Sequence, residues 1–434
     1  MISRGQTALE HLVIKGKQKI RGAVSINGAK NAAVAVIPAS LLTESRVKIE
    51  NLPKITDIFW LIEILKALGA KVSVEEGGDL WIDSAGVHSF KPPPELVNKF
   101  RASYYFMGAL LGRCGQVEIP MPGGCNLGPR PIDQHIKGFT AMGARVELEQ
   151  GLVKIKAEKL RGAHIYLDVI SVGATINIML AAARAEGKTI IENAAKEPEI
   201  VDVANLLNAM GAQVIGTGTD IIKIRGVSEL GGAEHNVIPD RIETGTFMIA
   251  AAATGGDLLI EDVIPKHLDP VIAKLRETGV PLAIGPDWIK VLPRNALYPA
   301  DVKTFPYPGF PTDLQAPMMV LLTQVPGVSL VSENVFEGRF RHVDELKKMG
   351  ARIKLEGRTA IIEGGSQLIS APIKATDLRG GAALVIAGML AEGETTIEGI
   401  EHIDRGYEHL EERLNLLGAK IERRIMTKDV FPGK

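Results

Sequence analysis

Apolar positions along the chain follow two rhythms that recur in a fixed order. A nearly all-apolar stretch, such as 31–42 or 382–390, leads to a short alternating segment, as in Lys188-Thr189-Ile190-Ile191-Glu192 and Glu394-Thr395-Thr396-Ile397-Glu398. A polar loop follows. Then comes a stretch with apolar residues at i, i+3 and i+4, as in 58–68 and 343–349. Two more alternating segments close the round, for example 213–215 and 221–224. Helical spacing predicts helices and alternation predicts strands. Each round therefore reads αβαββ, a βαβαββ-like unit with mixed sheets.

Six rounds can be counted from the step that ends each amphipathic helix. They are Leu68-Gly69-Ala70, Met142-Gly143-Ala144, Met210-Gly211-Ala212, Thr278-Gly279-Val280, Met349-Gly350-Ala351 and Leu417-Gly418-Ala419, about 70 residues apart. Glycine there predicts a left-handed helix cap running straight into a strand. Segment 12–30 resembles 222–241 in its strand, its Arg-Gly and its approach to a charged helix start. These predict two crossings between lobes of three units each. One lobe is placed at 28–237 and the other at 1–27 plus 238–434. The expected class is α/β, with a frayed tail over 427–434.

Composition narrows the function. The 434 residues are 46% hydrophobic and 23% charged, with net charge −1. That balance gives no general attraction to nucleic acid or acidic membranes. No apolar run reaches membrane-spanning length, and residues 1–10 lack a signal-peptide core. The two cysteines, Cys114 and Cys125, are too few for a disulfide framework or a zinc site and fit a reduced cytoplasmic protein. Neither G-x-x-x-x-G-K-[ST] nor a post-strand G-x-G-x-x-G occurs, so ATP and dinucleotides are not indicated. No metal spacing or cofactor is expected, and nothing demands more than a monomer.

Candidate chemistry lies where the units differ. The apolar helices open on polar residues: Lys30-Asn31, Arg101-Ala102-Ser103, Ser171-Val172-Gly173, Arg241-Ile242-Glu243, Asp313-Leu314-Gln315 and Asp377-Leu378-Arg379. Rotational repetition would bring three such N-termini to one end of each lobe. Helix N-termini carry partial positive charge and free N–H groups. With Lys and Arg added, they predict a site for a highly anionic small ligand. Ordinary capping is the competing reading, but basic residues oppose the dipole there, and four starts are basic.

The loop Pro122-Gly123-Gly124-Cys125-Asn126-Leu127-Gly128-Pro129-Arg130-Pro131-Ile132-Asp133 fills a slot that other units close with plainer turns. Its glycines suit a lid, and a nearby guanidinium favours thiolate at Cys125. The loop alone is equally compatible with a surface cysteine on a turn. Cys114, at a helix end, reads as a small buried hydrophobe. Arg339 and Arg405 occupy the slot of Arg130 in their own units, and three arginines in equivalent slots suggest phosphate or carboxylate clamps. His135, His267, His342 and His402 lie near helix entries and read as capping or packing residues.

These motifs carry a resemblance. GAKNAA (28–33), FRAS (100–103), PGGCNLGPRPID (122–133), SVGAT (171–175), PDRIETGTF (239–247), FPTDLQA (310–316), VFEGRFRHV (335–343), TDLR (376–379) and HIDRGYE (402–408) are similar to the enolpyruvyl transferase family. Within it they resemble the UDP-N-acetylglucosamine 1-carboxyvinyltransferases, in order from about residue 12 to 424. The resemblance implies a two-lobed inside-out α/β barrel of six units. It implies transfer of the enolpyruvyl group of phosphoenolpyruvate to the sugar 3-hydroxyl of UDP-N-acetylglucosamine, a step of peptidoglycan synthesis. The Gly-Gly-Cys loop separates this reading from 5-enolpyruvylshikimate-3-phosphate synthase.

The resemblance also implies roles. Cys125, Asp313, Lys30 and Arg405 would be catalytic. Lys30, Asn31, Cys125, Arg130, Arg339, Arg379 and Arg405 would surround phosphoenolpyruvate. Asn31, Thr312, Asp313 and Val335 would hold the amino sugar. Arg101, Ser171, Val172 and Gly173 would meet the diphosphate, and Arg130, Pro131 and Asp133 would border the uracil. Cys125 would act as a thiol that protonates C3 or as a thiolate that forms an adduct, and both stay open. Val169, Pro129 and Gly380-Gly381 depart from the commoner family residues. A non-catalytic sugar-nucleotide-binding protein is the alternative on the same scaffold, and joint presence of Cys125, Asp313 and Lys30 argues against it.

Overall fold

The structure is a computed structural model that describes residues 9–121 and 131–426. Two compact units emerge from internal contacts. One, here the Lys30 unit, comprises Asn27–Asp240 with Pro306–Gly309. The other, the Asp313 unit, comprises residues up to Ile26, Arg241–Phe305 and from Phe310 on.

Three apolar helices form the centre of the Lys30 unit: Lys30–Ala39, Tyr105–Cys114 and Val172–Ala182. Arg241–Thr254, Gln315–Thr323 and Leu378–Leu390 do the same in the Asp313 unit. Each is buried on nearly all sides, as helices lacking a polar face must be. Where two of them meet in the Lys30 unit, a Cβ on Gly108 would lie 2.3 Å from the Asn177 carbonyl oxygen, so only glycine permits the approach. Asn177 also caps the neighbouring helix, its side-chain oxygen accepting from the Gly108 N–H at 2.7 Å.

Sheets flank these helices. In a complete unit the strand before the apolar helix pairs parallel with the strand after it, as His164–Tyr166 does with Lys188–Glu192. The second strand then pairs antiparallel with a hairpin, here Ile221–Arg225 and Gln213–Ile215. Five sheets have four strands and one has three, and among the described residues none closes on itself. Among the described residues the three-stranded sheet has no leading strand, and the Glu118 N–H reaches back to the Phe90 carbonyl.

The chain crosses where the two similar segments lie. Arg21–Ser25 pairs parallel with Asp257–Glu261 in the Asp313 unit, yet the next helix, Lys30–Ala39, belongs to the Lys30 unit. Ala233–Asn236 pairs with Arg46–Glu50 in the Lys30 unit, yet Arg241–Thr254 belongs to the other. Strand Leu9–Lys15 completes the last sheet between Glu394–Glu398 and Ile421–Met426.

All six helix-ending glycines are left-handed: Gly69, Gly143, Gly211, Gly279, Gly350 and Gly418 have φ of 107°, 91°, 103°, 83°, 85° and 99°. In all six the next residue's N–H bonds five residues back, from Ala70 to Leu65, Ala144 to Phe139, Ala212 to Leu207, Val280 to Leu275, Ala351 to Leu346 and Ala419 to Leu414. This is the Schellman geometry. A second repeated device sits after the strand that follows the apolar helix. Asn51, Asn193 and Asp262 have φ of 57°, 55° and 57°. Their side chains bond the neighbouring parallel segment, at the Val237 carbonyl, the Leu167 carbonyl and the Ser25 hydroxyl.

Candidate active site

Helix starts meet in the Asp313 unit. Asp313 lies in the single turn Thr312–Leu314 that feeds Gln315–Thr323. Arg379 is the second residue of Leu378–Leu390, Arg241 opens Arg241–Thr254, and Arg339 stands just before His342–Lys348. Arg339 Nη2 donates to Asp313 Oδ1, and Arg379 Nε lies 3.8 Å from the same oxygen. Burial pushes the Asp313 carboxyl up, but Arg339, Arg379 and Arg241 outweigh it and hold it well below the usual carboxylate range. Asp313 is therefore ionised, with its side chain 23% exposed.

Neighbours hold this cluster in place. Thr312 donates to Glu333 Oε2 at 2.8 Å, and Arg339 Nη1 reaches Thr312 Oγ1 at 3.3 Å. The Arg379 guanidinium sits 5.2 Å from the ring centroid of buried Tyr407, whose hydroxyl bonds Thr246 at 2.9 Å. Val335 is half-buried, and its N–H donates to Glu333. Arg405 is half-buried in the turn between Ile400–His402 and Leu410–Leu416.

In the Lys30 unit, Lys30 Nζ pairs with Asp57 Oδ2 at 2.9 Å, with side chains 13% and 1% exposed. Its backbone N–H donates to Asp240, which caps the helix start. Asn31 is half-buried beside it. Elsewhere in this unit the Arg101 guanidinium lies 5.6 Å from the Tyr104 ring centroid. Tyr104 meets buried His135 edge-on at 5.3 Å. A Cβ on Gly173 would stand 2.7 Å from the Tyr104 hydroxyl, so this glycine lets the ring lie against the helix start. His135 is pushed down to about 3, first by burial and then by Arg101, so it is neutral at pH 7.

Several expectations change on contact with these details. The helix starts do not simply leave N–H groups open: Asp377 accepts from the N–H groups of Arg379 and Gly380, and Ser171 from that of Ala174. Ser103 donates to the Val97 and Phe100 carbonyls, a structural role. Pro131 and Asp133 are exposed, and Asp133 accepts from the Gln134 amide at 2.8 Å. Val169 is 58% exposed two residues before Ser171. Cys114, the last residue of its helix before the left-handed cap Gly115, is exposed rather than a core residue. Cys125, Arg130 and Pro129 lie outside the described residues.

Sequence reasoning missed Asp57, Glu333, Tyr104 and Tyr407. Asp57 reads as an ordinary acidic residue in a first helical turn, which the dipole favours anyway. Glu333 reads as a polar residue ending a strand. The usable signal was position for Glu333, which follows its strand in the slot that also carries Arg339, whereas Asp57 lies inside the first turn of the amphipathic helix Thr56–Leu68.

The sequence matches the family of EPSP synthase (3-phosphoshikimate 1-carboxyvinyltransferase) over residues 14–414. UDP-N-acetylglucosamine 1-carboxyvinyltransferase 3 of Caldanaerobacter subterraneus subsp. tengcongensis is 58% identical over 96% of this chain and 99% of its own length. UDP-N-acetylglucosamine 1-carboxyvinyltransferase 2 of Bacillus subtilis is 56% identical over 97% and 98%. Among solved structures, the enolpyruvyl transferase NikO from Streptomyces tendae superposes with a TM-score of 0.89 at 26% identity, covering 97% of this chain and all of its own. EPSP synthase from Acinetobacter baumannii shares the fold at a TM-score of 0.75 and 21% identity, over 96% of this chain and all of its own. With the repeated units, the arginine-held carboxylate and these likenesses together, the chain belongs to the enolpyruvyl transferase family, on the branch of the UDP-N-acetylglucosamine 1-carboxyvinyltransferases.

Proposed function

We propose that this protein transfers the enolpyruvyl group of phosphoenolpyruvate to the 3-hydroxyl of UDP-N-acetylglucosamine and releases phosphate, a step toward peptidoglycan. The observation that carries the reading is identity above one half, over nearly the whole length, to transferases of that name. The cysteine usage supports a cytoplasmic location, and the protein is read as a monomer.

The chemistry suits the residues. The sugar hydroxyl attacks C2 of phosphoenolpyruvate while C3 gains a proton. Phosphate then leaves as C3 loses one. Asp313 is assigned the hydroxyl proton. A carboxylate held this low by arginines is a weak base toward a free alcohol. Transfer becomes favourable as the C–O bond forms and the attacking oxygen turns acidic. Arg339 and Arg379 then share their charge between Asp313 and the anionic substrates. Lys30, oriented by Asp57, is assigned to phosphoenolpyruvate together with Asn31, Arg130 and Arg405. Arg101, Ser171, Val172 and Gly173 are assigned the diphosphate, and Pro131 and Asp133 the uracil side. Cys125 is assigned either the C3 proton or a covalent adduct.

Phosphate release from phosphoenolpyruvate tests the reading. We expect release with UDP-N-acetylglucosamine and none with shikimate 3-phosphate; turnover with shikimate 3-phosphate alone sinks the assignment.

A further inference from the structure

Glu333 follows the strand Gly327–Ser332 and is 1% exposed. A carboxylate so far from water needs its lone pairs occupied. Its Oε1 accepts from the N–H groups of Val335 at 2.8 Å and Phe336 at 2.9 Å. Its Oε2 accepts from the Thr312 hydroxyl at 2.8 Å. A carboxylate only accepts, and a hydroxyl has one proton and two lone pairs. The Thr312 proton is thus committed to Glu333, and one lone pair faces Arg339 Nη1 at 3.3 Å. What Thr312 still offers, half-buried beside Asp313, is a single acceptor site.

We infer that Glu333 is a positioning residue that presents Thr312 to the substrate as a hydrogen-bond acceptor, selecting an N–H or O–H donor on the amino sugar. The inference rests on the proposed nucleotide-sugar substrate. It also explains why one buried carboxylate holds both Thr312 and the backbone of Val335: two of the four residues assigned to the sugar share one anchor. A donor-bearing sugar is favoured, and a group offering only lone pairs at that point meets another lone pair.

Calorimetric titration of UDP-N-acetylglucosamine tests this on the parent, Thr312→Val, Thr312→Ser, Glu333→Gln and the Thr312→Val/Glu333→Gln double variant, with thermal midpoints as a fold check. Thr312→Val removes the acceptor and strands the sugar donor, so Kd rises about tenfold. Thr312→Ser recovers most of that loss. Glu333→Gln turns an amide N–H toward Thr312 and its hydroxyl proton outward, so it also weakens binding. The double variant binds within about twofold of Thr312→Val, because Glu333 acts through Thr312. Binding by Thr312→Val within twofold of the parent, or additive losses in the double variant, overturns the inference. If Glu333→Gln does not fold, Glu333→Asp, which keeps the charge but withdraws the carboxylate from Thr312, takes its place in the cycle, and losses additive with Thr312→Val overturn the inference. A parent that binds the nucleotide sugar but releases no phosphate from phosphoenolpyruvate overturns the proposed transfer and leaves this inference standing; a parent that does not bind it overturns both.

Discussion

Arg339 donates to the same Asp313 oxygen that Arg379 approaches to 3.8 Å, so the carboxylate assigned as base rests inside an arginine clamp. Asp313→Asn should therefore lower turnover by roughly 10²–10⁴-fold, the usual loss for a general base, and far more than it weakens substrate binding. The clamp also sets the pH dependence. The folded Asp313 carboxyl lies below its unfolded value of about 3.9. Its stabilising contribution is then present above about pH 4 and is lost as pH falls through the lower folded value. The stability gap between parent and Asp313→Asn should be constant at neutral pH and shrink below about pH 4 in acid titrations followed by circular dichroism. The acid limb of kcat/KM should not come from Asp313. A limb above pH 5 that disappears in Asp313→Asn would contradict the clamp.

The Lys30–Asp57 pair predicts a stability effect alongside the catalytic one. Asp57 is 1% exposed, and Lys30 Nζ lies 2.9 Å from it. Breaking one side of a buried pair costs about 3–5 kcal/mol, because the other charge stays behind. Lys30→Met should lower urea-unfolding stability by about 3 kcal/mol as well as abolish turnover. Unchanged stability in Lys30→Met would mean that Lys30 serves the substrate only and is not held by Asp57.

Gly108 makes a packing prediction. A Cβ there would stand 2.3 Å from backbone, at the Asn177 carbonyl, where no side chain can rotate away. Gly108→Ala should push apart helices Tyr105–Cys114 and Val172–Ala182, lose the Asn177 cap on the Gly108 N–H, and cost at least about 2 kcal/mol. The helix start at Ser171 moves with its helix, so affinity for UDP-N-acetylglucosamine should fall as well. Equal thermal midpoints for Gly108→Ala and the parent would contradict this packing.

The repeat was legible because it is written in local chemistry. Gly69, Gly143, Gly211, Gly279, Gly350 and Gly418 stand at one offset, and each takes the left-handed cap that glycine favours. The second device was legible in principle, since Asn51, Asn193 and Asp262 also share an offset, but Asn and Asp are common in loops and the signal passed as ordinary turn chemistry. Asp313, Arg339 and Arg379 stood out as departures from the shared pattern. Their mutual pairing did not, because it joins positions 26 and 66 residues apart in sequence and depends on three helix starts meeting. Glu333 and Asp57 were hidden for the opposite reason: each has a bland local explanation, and burial alone reveals it as a partner. The exposure of Cys114 is not written in its local position: Leu68, Met142, Met210 and Met349 also stand directly before a left-handed capping glycine, and all are buried.

That exposure changes how a cysteine-labelling experiment separates the two thiols. Fosfomycin, an epoxide, is expected to alkylate Cys125, as the resemblance implies, with Lys30, Arg130 and Arg405 holding its phosphonate. Cys114 cannot be protected by burial in a core, because it is exposed. It is protected by its protonation state instead. Partial burial of the thiol raises its pKa above the ordinary value, and Arg113 offsets this only in part. At pH 7 the thiolate fraction at Cys114 is therefore small. Peptide mapping by mass spectrometry at pH 7 should find fosfomycin on Cys125 alone, faster with UDP-N-acetylglucosamine present, as closure over a bound sugar predicts. Iodoacetamide, which needs no cradle, should label Cys114 slowly at pH 7 and much faster above pH 9 as the thiolate forms. Fosfomycin on Cys114, or none on Cys125 with the sugar nucleotide present, would show that the 122–133 loop does not carry the reactive thiol.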